Sequence, residues 1–230
     1  MASIELKLQQ LRRRIADACT LVQRPVQSVT LLAVSKTFGA DIVRQAHHAG
    51  QHAFGENYVQ EALDKMAALR DLRPAIEWHL IGPLQSNKTR DVAAAFDWVH
   101  TIDRLKIAER LSGQRPPHLP PLQVCLQVNV SGEASKSGVA PPDVVAMARA
   151  VATLPRMRLR GLMSIPAPVE GLAAQRVPHR LLRELFEALR AHGLALDTLS
   201  MGMSADLEAA IAEGSTMVRV GSALFGARAP

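Results

Sequence analysis

The sequence predicts an α/β protein built as one closed (β/α)8 barrel, a TIM barrel, with an extra N-terminal helix. Short apolar runs alternate with amphipathic helical stretches along almost the whole chain. Strict alternation of this kind indicates a parallel sheet, because consecutive parallel strands are joined by a helix. An open doubly wound sheet usually contains about five or six strands. The eight apolar runs found here therefore favour a closed barrel.

The elements follow one another without an obvious interruption. Apolar residues from Ile4 to Ile15 recur at helical spacing and predict a first helix at about 3–22. Apolar runs of strand length come next, at 29–35, 52–54, 76–81, 98–101, 123–130, 158–164, 197–201 and 217–220. Amphipathic helical stretches separate them, at 40–49, 57–71, 86–95, 104–113, 141–154, 174–192 and 205–213.

The chain is expected to form a single domain, 1–230, with the barrel at about 28–228. The proline-rich stretch 115–121 could mark a domain boundary or form the loop before the fifth strand. We favour the loop, because the alternation of strand and helix resumes directly after it.

Composition argues against several classes of partner. The formal net charge is +6, but the basic residues are spread along the chain, and aromatic residues make up only 3%. Few rings are thus available to stack on bases, and we expect no nucleic-acid partner. The cluster Arg12-Arg13-Arg14 fits a solvated helix face better than a phosphate-binding patch.

The sequence also bears on location and metals. No apolar run approaches the length of a membrane span, and the N-terminus lacks the apolar centre of a signal peptide. We therefore expect a cytoplasmic protein without membrane association. The two cysteines, Cys19 and Cys125, fit a reducing compartment and lack the spacing of a metal site, so no metal is expected.

Polar and glycine residues follow the predicted strands directly. In such barrels the functional groups lie at the C-terminal ends of the strands, on the loops that follow them. These positions include Lys36, Asn57, Ser164, Ser204, Gly221 and Ser222. The sequence thus predicts a site at this end of the barrel.

Lys36 is expected to point into the barrel. Alternate residues of a strand share a face, so Lys36 lies on the side of Leu32 and Val34. In strand five, Gln127 and Asn129 lie opposite the apolar residues that must face the helices, so they should also point inward. A lysine between apolar walls has a lowered pKa, and its neutral amine can bond to a carbonyl compound. The alternative is a lysine that reaches solvent or pairs with a carboxylate.

An anion could be held beside this lysine. The same alternation turns His79 of strand three and Arg219 of strand eight inward. Gly221 follows strand eight, and a glycine turn before a short helix presents backbone N–H groups to an anion. Ser204, after strand seven, adds a hydroxyl group. Together these features indicate a phosphorylated carbonyl compound as the ligand.

Six stretches of the sequence carry a resemblance to known proteins: LLAVSKT, FGENYVQEALDKM, WHLIGPLQSNKTR, LQVNVSGEASKSG, RGLMSIP and LSMGMSADLEAAIAEGSTMVRVGSALFGAR. In matching order, they resemble the YggS/PROSC family of pyridoxal phosphate homeostasis proteins. The resemblance runs from strand one to the C-terminus. It implies a barrel like the N-terminal domain of alanine racemase, with pyridoxal 5'-phosphate (PLP) held as a Schiff base on Lys36. It also implies a role in intracellular vitamin B6 homeostasis, by buffering or delivering PLP.

The resemblance further implies roles for individual residues. Ser204, Gly221 and Ser222 match phosphate-binding positions, and Arg219 matches the residue that faces the pyridine nitrogen. The positions that line the cofactor pocket correspond to Asn57, His79 and Met163, with Ser164 beside them. Two residues depart from the family pattern: Gly39 stands where proline often precedes the first barrel helix, and Ala205 stands where an acidic residue is frequent.

Arg219 bears on whether the protein is an enzyme. A guanidinium only donates hydrogen bonds, so the pyridine nitrogen would stay unprotonated and the ring would be a poor electron sink. Alanine racemases add a tyrosine base from a C-terminal β-domain, which this sequence, ending at Pro230, is expected to lack. Tyr58 is expected to pack at a helix start. We favour a PLP carrier; the alternatives are a PLP-dependent amino-acid racemase of low activity and a Schiff-base aldolase.

Partners are less sharply defined. PLP-dependent apoenzymes are candidate recipients of the cofactor, and loss of the dimerising domain favours a monomer. Lys136, in the loop after strand five, could meet the cofactor at the mouth of the barrel or be an exposed loop lysine. We favour the exposed lysine.

Overall fold

Eight parallel strands close into a barrel, as the sequence predicts. The computed structural model describes residues 3–133 and 136–226. Each strand pairs with the next along the chain, and the last pairs with the first. The strands are β1 (Thr30–Val34), β2 (Ala53–Glu56), β3 (Glu77–Leu80), β4 (Trp98–Ile102), β5 (Leu122–Gln127), β6 (Met157–Met163), β7 (Thr198–Ser200) and β8 (Met217–Val220).

Helices precede, connect and follow the strands. They are α1 (Ile4–Leu21), α2 (Ala40–His48), α3 (Val59–Ala68), α4 (Thr89–Ala95), α5 (Leu105–Gln114), α6 (Val144–Ala152), α7 (Leu172–Ala191), α8 (Leu207–Ala212) and α9 (Ser222–Phe225). The helix α1 lies before the barrel, which confirms the extra N-terminal helix. The helices α2 to α8 each connect two consecutive strands. The predicted helix 86–95 divides into a 3₁₀ turn, Ser86–Lys88, and α4.

The helix α1 is attached to the barrel by both of its faces. On its apolar side, Leu8, Leu11 and Ile15 are buried. On the polar side, Arg14 donates to both carboxylate oxygens of Glu208 on α8, at 2.5 and 2.6 Å. Arg12 donates to the carbonyl of Gly50. Two of the three arginines predicted to form a solvated face therefore join α1 to the barrel.

Strand β5 ends earlier than predicted. It stops at Gln127, whereas the apolar run continues to 130. The side-chain oxygen of Asn129 accepts a hydrogen bond from the N–H of Gly132, and its amide donates to the carbonyl of Glu133. Asparagine favours turns because its side chain bonds to nearby backbone in this way. The Asn129 turn therefore ends the strand although the apolar run continues beyond it.

The proline-rich stretch 115–121 forms the loop between α5 and β5. Arg115 is buried and holds this loop against the barrel. It donates to the carbonyls of Ala93 and Phe96 at 2.7 and 2.8 Å, and to that of Pro120 at 2.9 Å. The loop is thus fixed to the element that precedes β4.

The barrel interior contains two apolar clusters. One joins the ends of β1, β2, β3 and β8 and contains Leu32, Val34, Ala53, Ile81 and Met217. The other contains Trp98, Cys125 and Met163, from β4, β5 and β6. Gln127 lies on the same face of β5 as Cys125, so its predicted inward orientation is confirmed. Its amide donates to the carbonyl of Ser137 at the mouth.

The described residues hold little to suggest a membrane or a metal. None of their helices combines the length and apolar character that crossing a membrane requires. Within the same part of the chain, no group of three or more His, Cys, Asp or Glu side chains is arranged to hold a metal ion. Cys19 and Cys125 are both buried and unpaired, and burial raises the pKa of Cys125 to about 12.

Candidate functional site

Lys36 lines a cavity of about 250 Å³ at the C-terminal mouth of the barrel. It lies in the turn between β1 and α2 and is partly buried. Gly221 and Ser222, which follow β8, line the same cavity. These residues meet because β1 pairs with β8 when the barrel closes, so the ends of both strands are adjacent. The structure therefore brings together three of the predicted site residues.

A buried ion cluster lies beside Lys36. The ammonium group of Lys65, on α3, lies 2.7 Å from Glu56 at the end of β2 and 2.6 Å from Glu61. The Lys65 side chain is only 6% exposed and that of Glu56 is fully buried. Burial raises the pKa of Glu56, although Lys65 favours its charged form.

This cluster holds the backbone on both sides of Lys36. Lys65 donates to the carbonyl of Ser35, and the Ser35 hydroxyl donates to Glu56 at 2.6 Å. On the other side, Glu61 accepts the N–H of Thr37 at 2.6 Å. Thr37 has a φ of +68°, a conformation that β-branched residues rarely adopt without support. The ion cluster therefore fixes the turn that carries the lysine.

Arg219 is held across the barrel from β8 to β6 and β7. One Nη donates to the carbonyl and the hydroxyl of Ser200, at 2.6 and 2.9 Å. The other donates to the carbonyl of Ser164 at 2.7 Å. Arg219 is 3% exposed, and burial lowers its pKa to about 10. The guanidinium therefore stays charged at neutral pH, and its orientation is fixed.

Two predicted site residues near the mouth each have a buried polar atom that lacks a hydrogen-bond partner among the described residues. These atoms are the hydroxyl oxygen of Ser164 and the side-chain oxygen of Asn57. Buried polar atoms usually have a partner, so these two are available to a ligand. The backbone of Asn57 packs closely on Gly82, where a Cβ would lie 2.1 Å from the Asn57 carbonyl oxygen. The position of Asn57 thus depends on a glycine opposite it.

Ser204 lies on the loop after β7 and is partly buried. Its carbonyl accepts a hydrogen bond from Arg14 of α1, at 2.9 Å. Asp206 accepts the N–H of Met203 at 2.6 Å and lies 3.0 Å from Nε2 of His179. Burial raises the pKa of Asp206. The hydrogen bonds from His179 and the Met203 amide lower it further than that, so the pKa stays below its usual value. The loop is therefore anchored to α1 and α7.

His79 and Met163 are fully buried in the barrel interior. His79 stacks on Trp98, with ring centroids 5.3 Å apart, and bonds to His100. It reaches Arg219 only through His100 and Ser200. Direct contact of His79 and Met163 with a cofactor stays a prediction.

The two remaining sequence predictions concern Tyr58 and Lys136. Tyr58 lies at the start of α3 with 57% of its surface exposed, so the expectation that it packs there is wrong. Lys136 lies 3.2 Å from Glu133 and 3.4 Å from the hydroxyl of Ser131, and its side chain is 28% exposed. The loop lysine is thus held by its own loop, whose residues 134 and 135 lie outside the described part.

Sequence reasoning missed Lys65, Glu61, His100 and Ser200. A signal for the first two was present, because Glu61 and Lys65 lie four residues apart on a helix that follows the strand-two loop. His100 and Ser200 carried a weaker signal, as polar residues within apolar strands.

The chain is similar to known proteins over nearly its full length. A family model described as alanine racemase, N-terminal domain, matches residues 6–229. The pyridoxal phosphate homeostasis protein of Pseudomonas aeruginosa is 60% identical over 228 residues, covering 99% of this chain and 97% of that protein. The protein of the same name from Escherichia coli K12 is 53% identical over 229 residues, covering 99% and 98%.

Solved structures agree with these relatives. PipY of Synechococcus elongatus with PLP bound is 39% identical, with a TM-score of 0.84 over 97% of this chain and 100% of PipY. An alanine racemase from Clostridium difficile is 12% identical, with a TM-score of 0.73 over 94% of this chain and 56% of its own, which shows a shared fold alone. The chain therefore belongs to the alanine racemase N-terminal domain family and, within it, to the YggS/PROSC group of pyridoxal phosphate homeostasis proteins.

Proposed function

We propose that this chain is a single-domain PLP-binding protein that holds PLP as a Schiff base on Lys36 and buffers or delivers it within the cell. The observation that carries the proposal is that Lys36 and the Gly221–Ser222 turn line one cavity. An amine and an anion-binding turn in one cavity suit a ligand with an aldehyde at one end and a phosphate at the other. PipY, which is 39% identical, binds PLP.

The residues present fit this cofactor. Arg219 places a buried positive charge between β6, β7 and β8, which favours an anionic ligand. The oxygens of Ser164 and Asn57 are available for polar groups of the ring. Gly221 leaves room beside β1, since a Cβ there would lie 3.1 Å from the carbonyl oxygen of Val34. Ser204 and Ser222 would add hydroxyl groups to the phosphate side.

When bound, PLP supplies an aldehyde that condenses with an amine and a ring that can accept electrons. The protein's own residues determine how far that chemistry proceeds. Lys36 provides the amine, and the Lys65 cluster fixes its turn. Arg219 only donates hydrogen bonds, so it can satisfy an unprotonated pyridine nitrogen but cannot hold a proton on it. This arrangement retains the cofactor without favouring carbanion chemistry.

A carrier is favoured over a racemase of low activity by two further observations. Racemisation needs an acid or base on each face of the substrate. The sequence contains one tyrosine, Tyr58, and its side chain is largely exposed outside the cavity. The chain also matches relatives named pyridoxal phosphate homeostasis protein over 97–98% of their length.

Location, oligomeric state and recipients complete the proposal. We place the protein in the cytoplasm as a monomer that passes PLP to PLP-dependent apoenzymes. Sedimentation of the PLP-loaded protein measures its mass and tests whether it is a monomer. Activation of a PLP-free aminotransferase by the loaded protein, faster than by the same concentration of free PLP, tests direct delivery.

The absorption spectrum of PLP-loaded protein tests the Schiff base. Wild-type protein should show a band near the violet edge, and Lys36→Ala should lose it. Reduction with borohydride, followed by peptide mass spectrometry, should place the phosphopyridoxyl group on Lys36. Lys106 is exposed, so Lys106→Ala is a matched control that should retain the band. Label on another lysine, or racemisation of L-alanine at about 1 per second or faster, would overturn the proposal.

A further inference from the structure

A line of hydrogen bonds crosses the barrel interior from Glu77 to Arg219. Glu77 Oε2 lies 3.0 Å from His79 Nε2, and His79 Nδ1 lies 2.9 Å from His100 Nε2. His100 Nδ1 lies 2.9 Å from the hydroxyl of Ser200, which accepts from Arg219 at 2.9 Å. β4 and β7 are not neighbours in the sheet, so the bond between His100 and Ser200 spans the interior.

The two ends of this line fix the direction of every bond in it. Arg219 can only donate and the Glu77 carboxylate can only accept. With both histidines neutral, Arg219 donates to Ser200 and the Ser200 hydroxyl donates to Nδ1 of His100. His100 then donates from Nε2 to Nδ1 of His79, and His79 donates from Nε2 to Glu77. Each histidine is thereby assigned the tautomer with its proton on Nε2.

The surroundings disfavour a charge on His100, in the middle of the line. His79, His100 and Ser200 are fully buried. Burial, together with the nearby His79 and Arg219, lowers the pKa of His100 well below its usual value. Other charged groups facing the line are Arg160, whose guanidinium lies 4.8 Å over the Trp98 ring, and Asp206, whose carboxylate acts on Arg219.

Glu77 ends the line at the opposite face of the barrel from Lys36. It is the first residue of β3, and its side chain is 48% exposed. Its other carboxylate oxygen accepts a hydrogen bond from the indole N–H of Trp98, at 2.8 Å. Bonds from His79 and Trp98 lower the pKa of Glu77 more than burial raises it. A negative charge at the base is therefore connected to the positive charge at the mouth.

We propose that Glu77, His79, His100 and Ser200 are positioning residues for Arg219, forming a one-directional hydrogen-bond relay that orients the guanidinium and offsets part of its charge toward the bound ligand. The inference rests on the proposed function in one respect, namely that the ligand facing Arg219 is PLP. The relay itself consists of the chain's own residues and exists without the cofactor.

Nitrogen-15 NMR of the histidine side chains tests the relay in cofactor-free protein. The relay requires that His79 and His100 each carry a proton on Nε2 and accept a hydrogen bond at Nδ1. Ser200→Ala removes the hydroxyl but keeps the backbone carbonyl that Arg219 also uses, so it should change the Nδ1 signal of His100. Ser112→Ala, also a buried serine, should leave that signal unchanged. A charged histidine, or a proton on Nδ1 of either ring in wild-type protein, overturns the relay.

The PLP-loaded protein supplies the second measurement. The pH midpoint of the bound PLP absorption band should fall by about 0.3 to 1 unit in Glu77→Gln and Ser200→Ala, because an uncompensated cation disfavours a protonated ligand. Glu77→Gln keeps one oxygen as the acceptor for His79, but it removes the charge and the second oxygen, which accepts from the Trp98 indole N–H. Asp71→Asn, another half-exposed carboxylate, should leave the midpoint unchanged.

Unchanged midpoints in both relay variants contradict the proposal. Failure of wild-type protein to bind PLP would instead contradict the proposed function, and the NMR result would still decide the relay.

Discussion

The ammonium group of Lys65 lies 2.7 Å from the carbonyl oxygen of Ser35, the residue directly before Lys36. The second lysine of this region is therefore a structural support for the first. It forms ion pairs with both Glu56 and Glu61, which hold the other polar groups of the same turn. The turn can carry an amine into the cavity because a buried charge cluster stands behind it.

Replacing Lys65 should be strongly destabilising. Lys65→Met leaves Glu56 buried without its cation, which costs about 3–5 kcal/mol for a broken buried pair. Urea unfolding of cofactor-free protein measures this loss, with Lys106→Met on the exposed face of α5 as the control. The double variant Lys65→Met/Glu56→Gln should recover part of the loss. Equal stability of the single variant and wild type would show that the cluster does not hold the turn.

The His179–Asp206 pair predicts how stability depends on pH. Asp206 has a lowered pKa in the folded protein, so unfolded chains bind more protons around its ordinary value of about 3.9. Its contribution is fully present above that value and is lost as pH falls through the folded pKa. Stability measured by urea unfolding from pH 6 downward should fall less steeply in Asp206→Asn than in wild type.

The exposed Asp64 provides the control for this measurement. Asp64→Asn should reproduce the wild-type slope. An Asp206→Asn profile that overlays the wild-type curve throughout the acid range would contradict the assigned role.

Gly82 should be required for the position of Asn57. A Cβ at Gly82 would lie 2.1 Å from the Asn57 carbonyl oxygen, so Gly82→Ala must displace the backbone there, at a cost of about 1–3 kcal/mol. Gly113, within α5, has nothing within 4 Å of such a Cβ. Gly113→Ala should therefore stabilise the protein by about 1 kcal/mol. Thermal unfolding of both variants separates the two effects, and a Tm rise in Gly82→Ala would contradict the close packing.

Much of the barrel could be predicted because strand and helix patterns are local. The alternation located eight strands within a few residues of their positions, and the polar residues after them marked the mouth. Lys36, Gly221 and Ser222 could be assigned to one end because parallel strands all finish at the same rim. The largest difference was at the end of β5, which stops at Gln127 because of the side-chain turn of Asn129.

The relay and the lysine cluster could not be predicted in the same way. His100 bonds to Ser200 across the interior, and this contact depends on the register and closure of strands that are distant in sequence. Likewise, the sequence pattern around Lys65 indicates only an ordinary helix residue. Its role depends on α3 packing its polar face against the turn after β1. Such contacts depend on tertiary geometry, and the local pattern of one strand or helix holds no information about it.

Proline at position 39 should stabilise the protein. Gly39 precedes α2 with φ −72°, a value that proline adopts without strain. A Cβ at Gly39 would have nothing within 4 Å, so the added ring has space. Gly39→Pro should stabilise by about 0.4–1 kcal/mol, chiefly by restricting the unfolded chain. Gly39→Ala restricts the unfolded chain less, so it should give a smaller gain in the free energy of unfolding, measured in urea. A loss of stability in the proline variant alone would mean that Phe38 cannot adopt the extended backbone that proline requires of the residue before it.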